Sequence, residues 1–246
     1  MVGTLYIVST PIGNLEDFTF RAVRTLRDVA IVAAEDPQQT RKLFEHYAID
    51  TPLTSYHNLN KEEKAPVLVR RLQEGQSVAL VSDAGTPVLS DPGACLVAQA
   101  LRSGIRVIPV PGPSAILAAL AVSGWPCEAF IFAGSVPSKA GLRSRLLKAL
   151  EREPRTVVLF VSSDRLQITL EAVSAALGNR RIVLATDLTK PSEELIRGTV
   201  AQVLRAVAAR PLDGEITLVI EGSRGKDRTG SAGKDRQAIR PRASGS

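Results

Sequence analysis

The chain has 246 residues, 44% hydrophobic and 23% charged, the profile of a soluble globular protein with room for one large or two small domains. Its two cysteines, Cys95 and Cys127, have neither the density of a disulfide scaffold nor metal-ligand spacing, and no apolar run approaches a membrane span. The net charge of +6 is concentrated: Ser223–Ser246 holds seven Lys/Arg against two Asp, whereas Met1–Gly222 holds 24 Lys/Arg against 23 Asp/Glu.

Met1-Val2-Gly3 leads into a strand-like run in place of a charged signal region, so a cytoplasmic protein is expected. Thr4–Val8 is predicted as that strand, and the loop Ser9-Thr10-Pro11-Ile12-Gly13-Asn14 follows it. With a single glycine and no lysine, the loop matches neither a dinucleotide fingerprint nor a Walker phosphate loop. By itself it reads as a strand-to-helix turn.

A helix over Arg21–Arg27 precedes a strand over Val29–Ala34, which closes on Glu35-Asp36. Acids at the end of a buried strand serve as proton acceptors or bind hydroxyls. Asp36 is equally placed to cap the next helix, Gln38–His46, a role that Glu35 cannot share. His46 and His57 stand apart from any second ligand, so no metal site is expected.

After a helix over Ala65–Glu74, stopped by Gly75, the strand Val78–Val81 runs into Ser82-Asp83-Ala84-Gly85-Thr86. Asp83 is placed either to accept a ligand's hydroxyl or amine or to close an Asx turn, and Gly85 lets backbone approach a ligand closely. Asp91-Pro92 reads as the cap and first residue of a helix over Pro92–Ser103, with Gly104 as its stop. The strand Arg106–Val110 then meets three prolines in five residues, at 109, 111 and 113, which mark a boundary between domains 1–112 and 113–222.

Ser114 is expected to cap a helix over Ala115–Ser123. Strands at Ala129–Ala133, Thr156–Val161, Arg181–Thr186 and Glu215–Ile220 alternate with helices at Ala140–Arg152, Asp164–Leu177 and Val200–Ala209. Alternation throughout argues for two α/β domains, each with a mainly parallel sheet, and for a ligand cleft between them. Residues 223–246 repeat GKDR, have few apolar residues, and read as a disordered basic tail.

Taken together and in order, TPIGNLED, AAED, SYHNLN, SDAGTPVLSDPG, VPGPSA, LTK and DGEITLVIEG resemble the tetrapyrrole methylase family, the class III S-adenosylmethionine-dependent methyltransferases. Within it they look like the branch that 2′-O-methylates a cytidine ribose of small-subunit ribosomal RNA. The resemblance covers Gly3 to Gly222. It implies two α/β domains with S-adenosylmethionine in the cleft, lined by Pro11, Asp83, Ala84, Gly85, Thr86, Ser114, Ala115, Val161 and Ser162. It further implies small-subunit RNA as partner, often in a homodimer.

In-line displacement from a sulfonium needs chiefly alignment, and Glu35, Asp36 and Lys190 are the candidates for orienting the acceptor hydroxyl, with Lys190 as an electrostatic partner. The segments Asp36-Pro37-Gln38, Phe160–Arg165 and Thr186–Lys190 depart from the family pattern by lacking arginine, tyrosine and glutamate, and arginine. Two other readings stay open: a tetrapyrrole or other small acceptor, and a non-catalytic donor- or RNA-binding paralogue. Family members generally continue past residue 222 into a small helical region, where this chain has its basic tail. Deleting residues 223–246 is expected to weaken RNA binding most at low salt, checked by filter binding across a salt series.

Overall fold

The computed structural model describes residues 1–89, 91–210 and 212–223. Of the tail, Ser223 is described, its N–H bonding the Glu153 carbonyl at 2.6 Å; the reading of 224–246 lies outside the described residues.

The first half forms strands β1 (Thr4–Val8), β2 (Ile31–Ala34), β3 (Leu53–Ser55), β4 (Val78–Val81) and β5 (Arg106–Val110). They pair in the order β3-β2-β4-β1-β5, every pairing parallel. Successive side chains of a strand face opposite sides, so a strand covered on both faces must be apolar throughout. β4 shows this: Ala79 and Val81 join one buried cluster, Val78 and Leu80 the other. Helices α1 (Phe20–Asp28) and α2 (Pro37–His46) cover the first face through Ala22, Leu26, Leu43 and Phe44. Helices α3 (Lys61–Gln73) and α4 (Gly93–Arg102) cover the second through Leu68, Leu72, Leu96 and Ala100. Since all five strands run the same way, every loop at their carboxyl ends emerges along one edge, where open α/β sheets hold ligands.

The second half contains α5 (Ala115–Ala121), β6 (Phe130–Ser135), α6 (Ala140–Ala149), β7 (Thr156–Ser162), α7 (Leu166–Leu177), β8 (Arg181–Thr186), β9 (Glu194–Thr199), α8 (Val200–Ala209) and β10 (Glu215–Ile220). Its strand order is β6-β7-β10-β8-β9. Only β6 and β7 pair in parallel; the other pairings are antiparallel, against the expectation of a mainly parallel sheet. Two features hidden in the sequence cause this. The edge strand β9, carrying Glu194, Arg197 and Gly198, closes a hairpin with β8, and β10 inserts between β7 and β8. Strand β3, three residues long, was likewise unforeseen.

Helices α6, α7 and α8 cover one face of this sheet, and α5 lies on the other. Ile12, from the loop after β1, is buried there with Ile116, Leu120, Val158, Val183 and Leu188. A side chain from the first half thus completes the core of the second. No helix among the described residues is long and apolar enough to cross a membrane.

Two expected caps take other forms. Helix α4 begins at Gly93, one residue later than read, and the Asp91 carboxylate accepts the N–H of Gly93 at 2.8 Å and that of Val88 at 2.7 Å. Ser114 occupies the N-cap position of α5 without a side-chain capping bond, and α5 ends at Ala121. Val88, held by Asp91, has φ +81°, which costs a β-branched residue dearly. Val88→Gly is expected to raise stability by about 1–2 kcal/mol, and Asp91→Ala to lower it by about 1–2 kcal/mol, both read from the midpoint of urea unfolding.

Candidate functional site

Two loops at the carboxyl edge of the first sheet are joined through their backbones. Thr10 N–H bonds the Gly85 carbonyl at 2.9 Å, and Gly85 N–H bonds that of Thr10 at 3.1 Å. Hydroxyls reinforce the junction: Thr10 Oγ1 donates to the Ser82 carbonyl at 3.1 Å, and Ser9 Oγ and Thr86 Oγ1 lie 3.0 Å apart. Thr86 Oγ1 also reaches the Pro113 carbonyl at 3.3 Å, tying the loops to the segment that enters α5. Gly85 sits at φ +80°, and a β-carbon there would stand 3.3 Å from Ile12 Cγ2 and 3.7 Å from the Pro113 carbonyl oxygen.

A cavity of about 550 Å³ opens beside this junction, within the range of small-molecule sites. The first half supplies Ile12, Ala84, Gly85, Thr86 and Leu89; the second supplies Ser114–Ile116, Ser135, Val136, Phe160–Ser163, Arg165 and Gly214–Thr217. Among its described lining residues the charged ones are Arg165 and Glu215. Apolar walls, bare backbone, a few hydroxyls and one charge of each sign suit a ligand with a flat apolar part and a zwitterionic part.

A smaller cavity of about 360 Å³ lies along the same loops, lined by Thr10, Pro11, Gly13, Leu15, Gln39, Thr40, Lys42, Leu43, Ser82 and Asp83. Carboxylates gather beside it. Asp83 Oδ1 accepts the Asp36 N–H at 3.0 Å, which fastens the end of β4 to the end of β2. Burial raises the Glu35 carboxyl above the usual range, with Asp83 and then Asp91 adding repulsion. Burial likewise raises Asp83, opposed by its bond from Asp36 N–H. Both pKa values are raised in the folded chain, so this pair favours folding when protonated. That contribution is lost as pH rises through the raised values.

Asp36 is spent on structure: its carboxylate caps α2 by accepting the N–H groups of Gln38 at 2.8 Å and Gln39 at 3.4 Å. Lys190 lies across the cleft, on the turn between β8 and β9. Its Nζ donates to Asp187 Oδ1 at 2.9 Å and stands 3.8 Å from Glu215 Oε2, so it offsets the one acid in the larger cavity. Asp187 holds its ammonium above the usual lysine range. The turn is tightly fitted: Asp187 and Thr189 have φ +47° and +69°, and a β-carbon on Gly13 would stand 2.5 Å from Lys190 Cγ.

Of the residues expected around a ligand, Ala84, Gly85, Thr86, Ser114, Ala115, Val161 and Ser162 line the larger cavity. Pro11 and Asp83 line the smaller one. Glu35 and Asp36 meet Asp83 at the carboxyl edge, and Lys190 stands apart from them on the second half. Sequence reasoning passed over Ile12, Phe160, Arg165 and Glu215. Ile12 was quoted only as part of a loop, and Glu215 reaches the cavity because β10 is inserted centrally, which no local pattern signals.

The family model for tetrapyrrole (corrin/porphyrin) methylases matches residues 4–204. The chain is 45% identical to the ribosomal RNA small subunit methyltransferase I of Halalkalibacterium halodurans, over 90% of this chain and 76% of the relative. It is 45% identical to that of Thermotoga maritima, over 90% of this chain and 99% of the relative. In architecture it resembles a uroporphyrin-III C-methyltransferase from Thermus thermophilus solved with S-adenyl homocysteine, at TM-score 0.61 and 21% identity, covering 89% and 97% of the two chains. The fold is therefore shared with methyltransferases of that type. Gly85→Ala is expected to cost about 1–2 kcal/mol in urea unfolding, because alanine resists φ +80° and its methyl presses on Ile12.

Proposed function

The chain belongs to the tetrapyrrole (corrin/porphyrin) methylase family, and from that premise we propose that it 2′-O-methylates a cytidine ribose of small-subunit ribosomal RNA with S-adenosylmethionine. One observation carries the acceptor: 45% identity to relatives named as methyltransferases of small-subunit ribosomal RNA, over 90% of the chain and hence through both walls of the cleft. The solved tetrapyrrole methyltransferase shares the fold alone and carries no argument on the acceptor.

The larger cavity fits the donor. Phe160, Ile12, Ile116 and Ile216 offer apolar surface for a purine, Gly85 and Ala84 present backbone at close range, and Arg165 and Glu215 match an amino acid's carboxylate and ammonium. When bound, S-adenosylmethionine supplies a methyl group already activated on a sulfonium. The protein's own task is to hold the acceptor hydroxyl in line and to receive its proton.

Of the three candidates, Glu35 has the properties that suit this task. It is half-buried, has no capping duty, and its raised pKa brings it closer to the working pH of a general base. Asp83 serves as a positioning residue, since its bond to Asp36 N–H sets the spacing between the loop that bears Glu35 and the loop that floors the donor cavity. Lys190 balances Glu215 on the opposite wall.

Labelled S-adenosylmethionine incubated with small subunits lacking the modification is expected to transfer label to one cytidine ribose; absence of label would refute the reading. Glu35 must be ionised to act, so the rate should fall as pH drops through its raised pKa, at higher pH than for an ordinary carboxylate. Glu35→Gln should remove that limb and lower kcat about a hundredfold or more. Unchanged kcat would remove Glu35 from the mechanism.

A further inference from the structure

The smaller cavity opens toward a surface that the donor site does not use. Helices α1 and α2 both follow strands of a parallel sheet, so both begin at its carboxyl edge and run back along the same face. Together they carry Arg21, Arg24, Arg27, Arg41 and Lys42 against Asp28 and Glu45. Arg27, near the far end of α1, is fixed by donating from its guanidinium to the Tyr47 carbonyl at 2.6 Å. Arg21, Arg24, Arg41 and Lys42 are exposed and enter no ion pair among the described residues; the three arginines lie in the half of their helix nearer the edge, and Lys42 follows at the next position. Lys42 and Gln39, three residues apart on one side of α2, line the cavity itself.

At the first position of α1 stands Phe20, 96% exposed. The ring is left wholly in water, at the head of a helix whose start is anchored on both sides. Thr19 caps the helix by accepting the Ala22 N–H, and the neighbouring Phe18 is buried with its ring centroid 5.2 Å from that of Tyr47. The Tyr47 hydroxyl in turn donates to the carbonyl of Leu15, a cavity-lining residue. An exposed ring and unpaired cations on two neighbouring helices, with Lys42 and the Gln39 amide reaching the cavity, are the parts from which single-stranded RNA sites are made: rings stack on bases, and cations follow phosphates. Glu16 and Asp17, on the turn before α1, bound this surface on its acidic side.

We infer that the edge-proximal half of α1 and α2 is the surface that holds single-stranded RNA beside the acceptor nucleotide. Phe20 stacks on a base, and Arg21, Arg24, Arg41 and Lys42 contact phosphates. The inference rests on the reading of the acceptor as RNA and adds where that RNA lies.

The test uses the full chain with small subunits lacking the modification. Phe20→Ala should raise KM for the subunit about tenfold to a hundredfold, and Phe20→Tyr should restore it, since both rings stack. The double variant Arg24→Gln, Lys42→Gln should lower the slope of log affinity against log salt by about 1.4, the loss of two phosphate contacts on a single strand. Affinity for S-adenosylmethionine, by calorimetry, should be unchanged in every variant, which separates this role from damage to the fold. Wild-type KM and salt slope in both variants, with methyl transfer intact, would overturn the surface and leave the acceptor reading standing. A wild-type chain that binds the donor yet leaves small subunits unlabelled would overturn the acceptor reading, and the surface with it.

Discussion

Everything in the cleft depends on a pair of backbone hydrogen bonds, Thr10 to Gly85 and back. Strands β1 and β4 are neighbours in the sheet, and this pair continues their association past the last parallel register into the loops. It holds the loop after β1 so that Ile12 points into the core of the second half while Pro11 faces the smaller cavity. It also fixes Gly85 at a positive φ, where bare backbone forms part of the floor of the larger cavity. Donors and acceptors lost to water in a buried loop must be repaid internally, and here the repayment sets the geometry of both cavities.

Two polar systems extend outward from that junction. On the first half, Asp36 caps α2 with its side chain and gives its N–H to Asp83, so that the ends of β2 and β4 are tied together and Glu35 is left among carboxylates. On the second half, Asp187 and Glu215 share the ammonium of Lys190, at 2.9 Å and 3.8 Å. The two systems differ in character: one gathers carboxylates without a paired cation among the described residues and raises pKa values, the other sets one ammonium between two carboxylates. A general base is useful only where its proton affinity has been raised, and the wall facing a zwitterion is useful only where its charges are matched.

The absence of a glycine fingerprint and of a Walker lysine, noted from the sequence, follows from this design. Among its described lining residues, the larger cavity has no cradle of backbone glycines and lysine for a phosphate. It is made from segments far apart in the chain, each contributing one to five residues. Sites of that kind leave faint traces in any one segment. The motif SDAGTP was informative because Gly85 needs its conformation and Asp83 needs its partner, both local demands written into residue identity. Ser114 was read as a helix cap on equally local grounds; its side chain makes no capping bond, and it lines the cavity.

The sequence by itself determined the strands of the first sheet except β3, the helices that cover it, and the edge where its strand-end loops gather, because short apolar β-branched runs, turn residues and strand-end acids are properties of neighbours in the chain. The resemblance of its motifs, taken together, pointed to residues of which Ala84, Gly85, Thr86, Ser114, Ala115, Val161 and Ser162 line the larger cavity. The tertiary structure alone decided the antiparallel second sheet, since the insertion of β10 between β7 and β8 joins segments about thirty to sixty residues apart on no local signal. That insertion brings Glu215 to the cavity, and the docking of one loop brings Ile12 into a distant core. Pairing between remote segments is settled by the total surface they bury together, a quantity no short stretch of sequence contains.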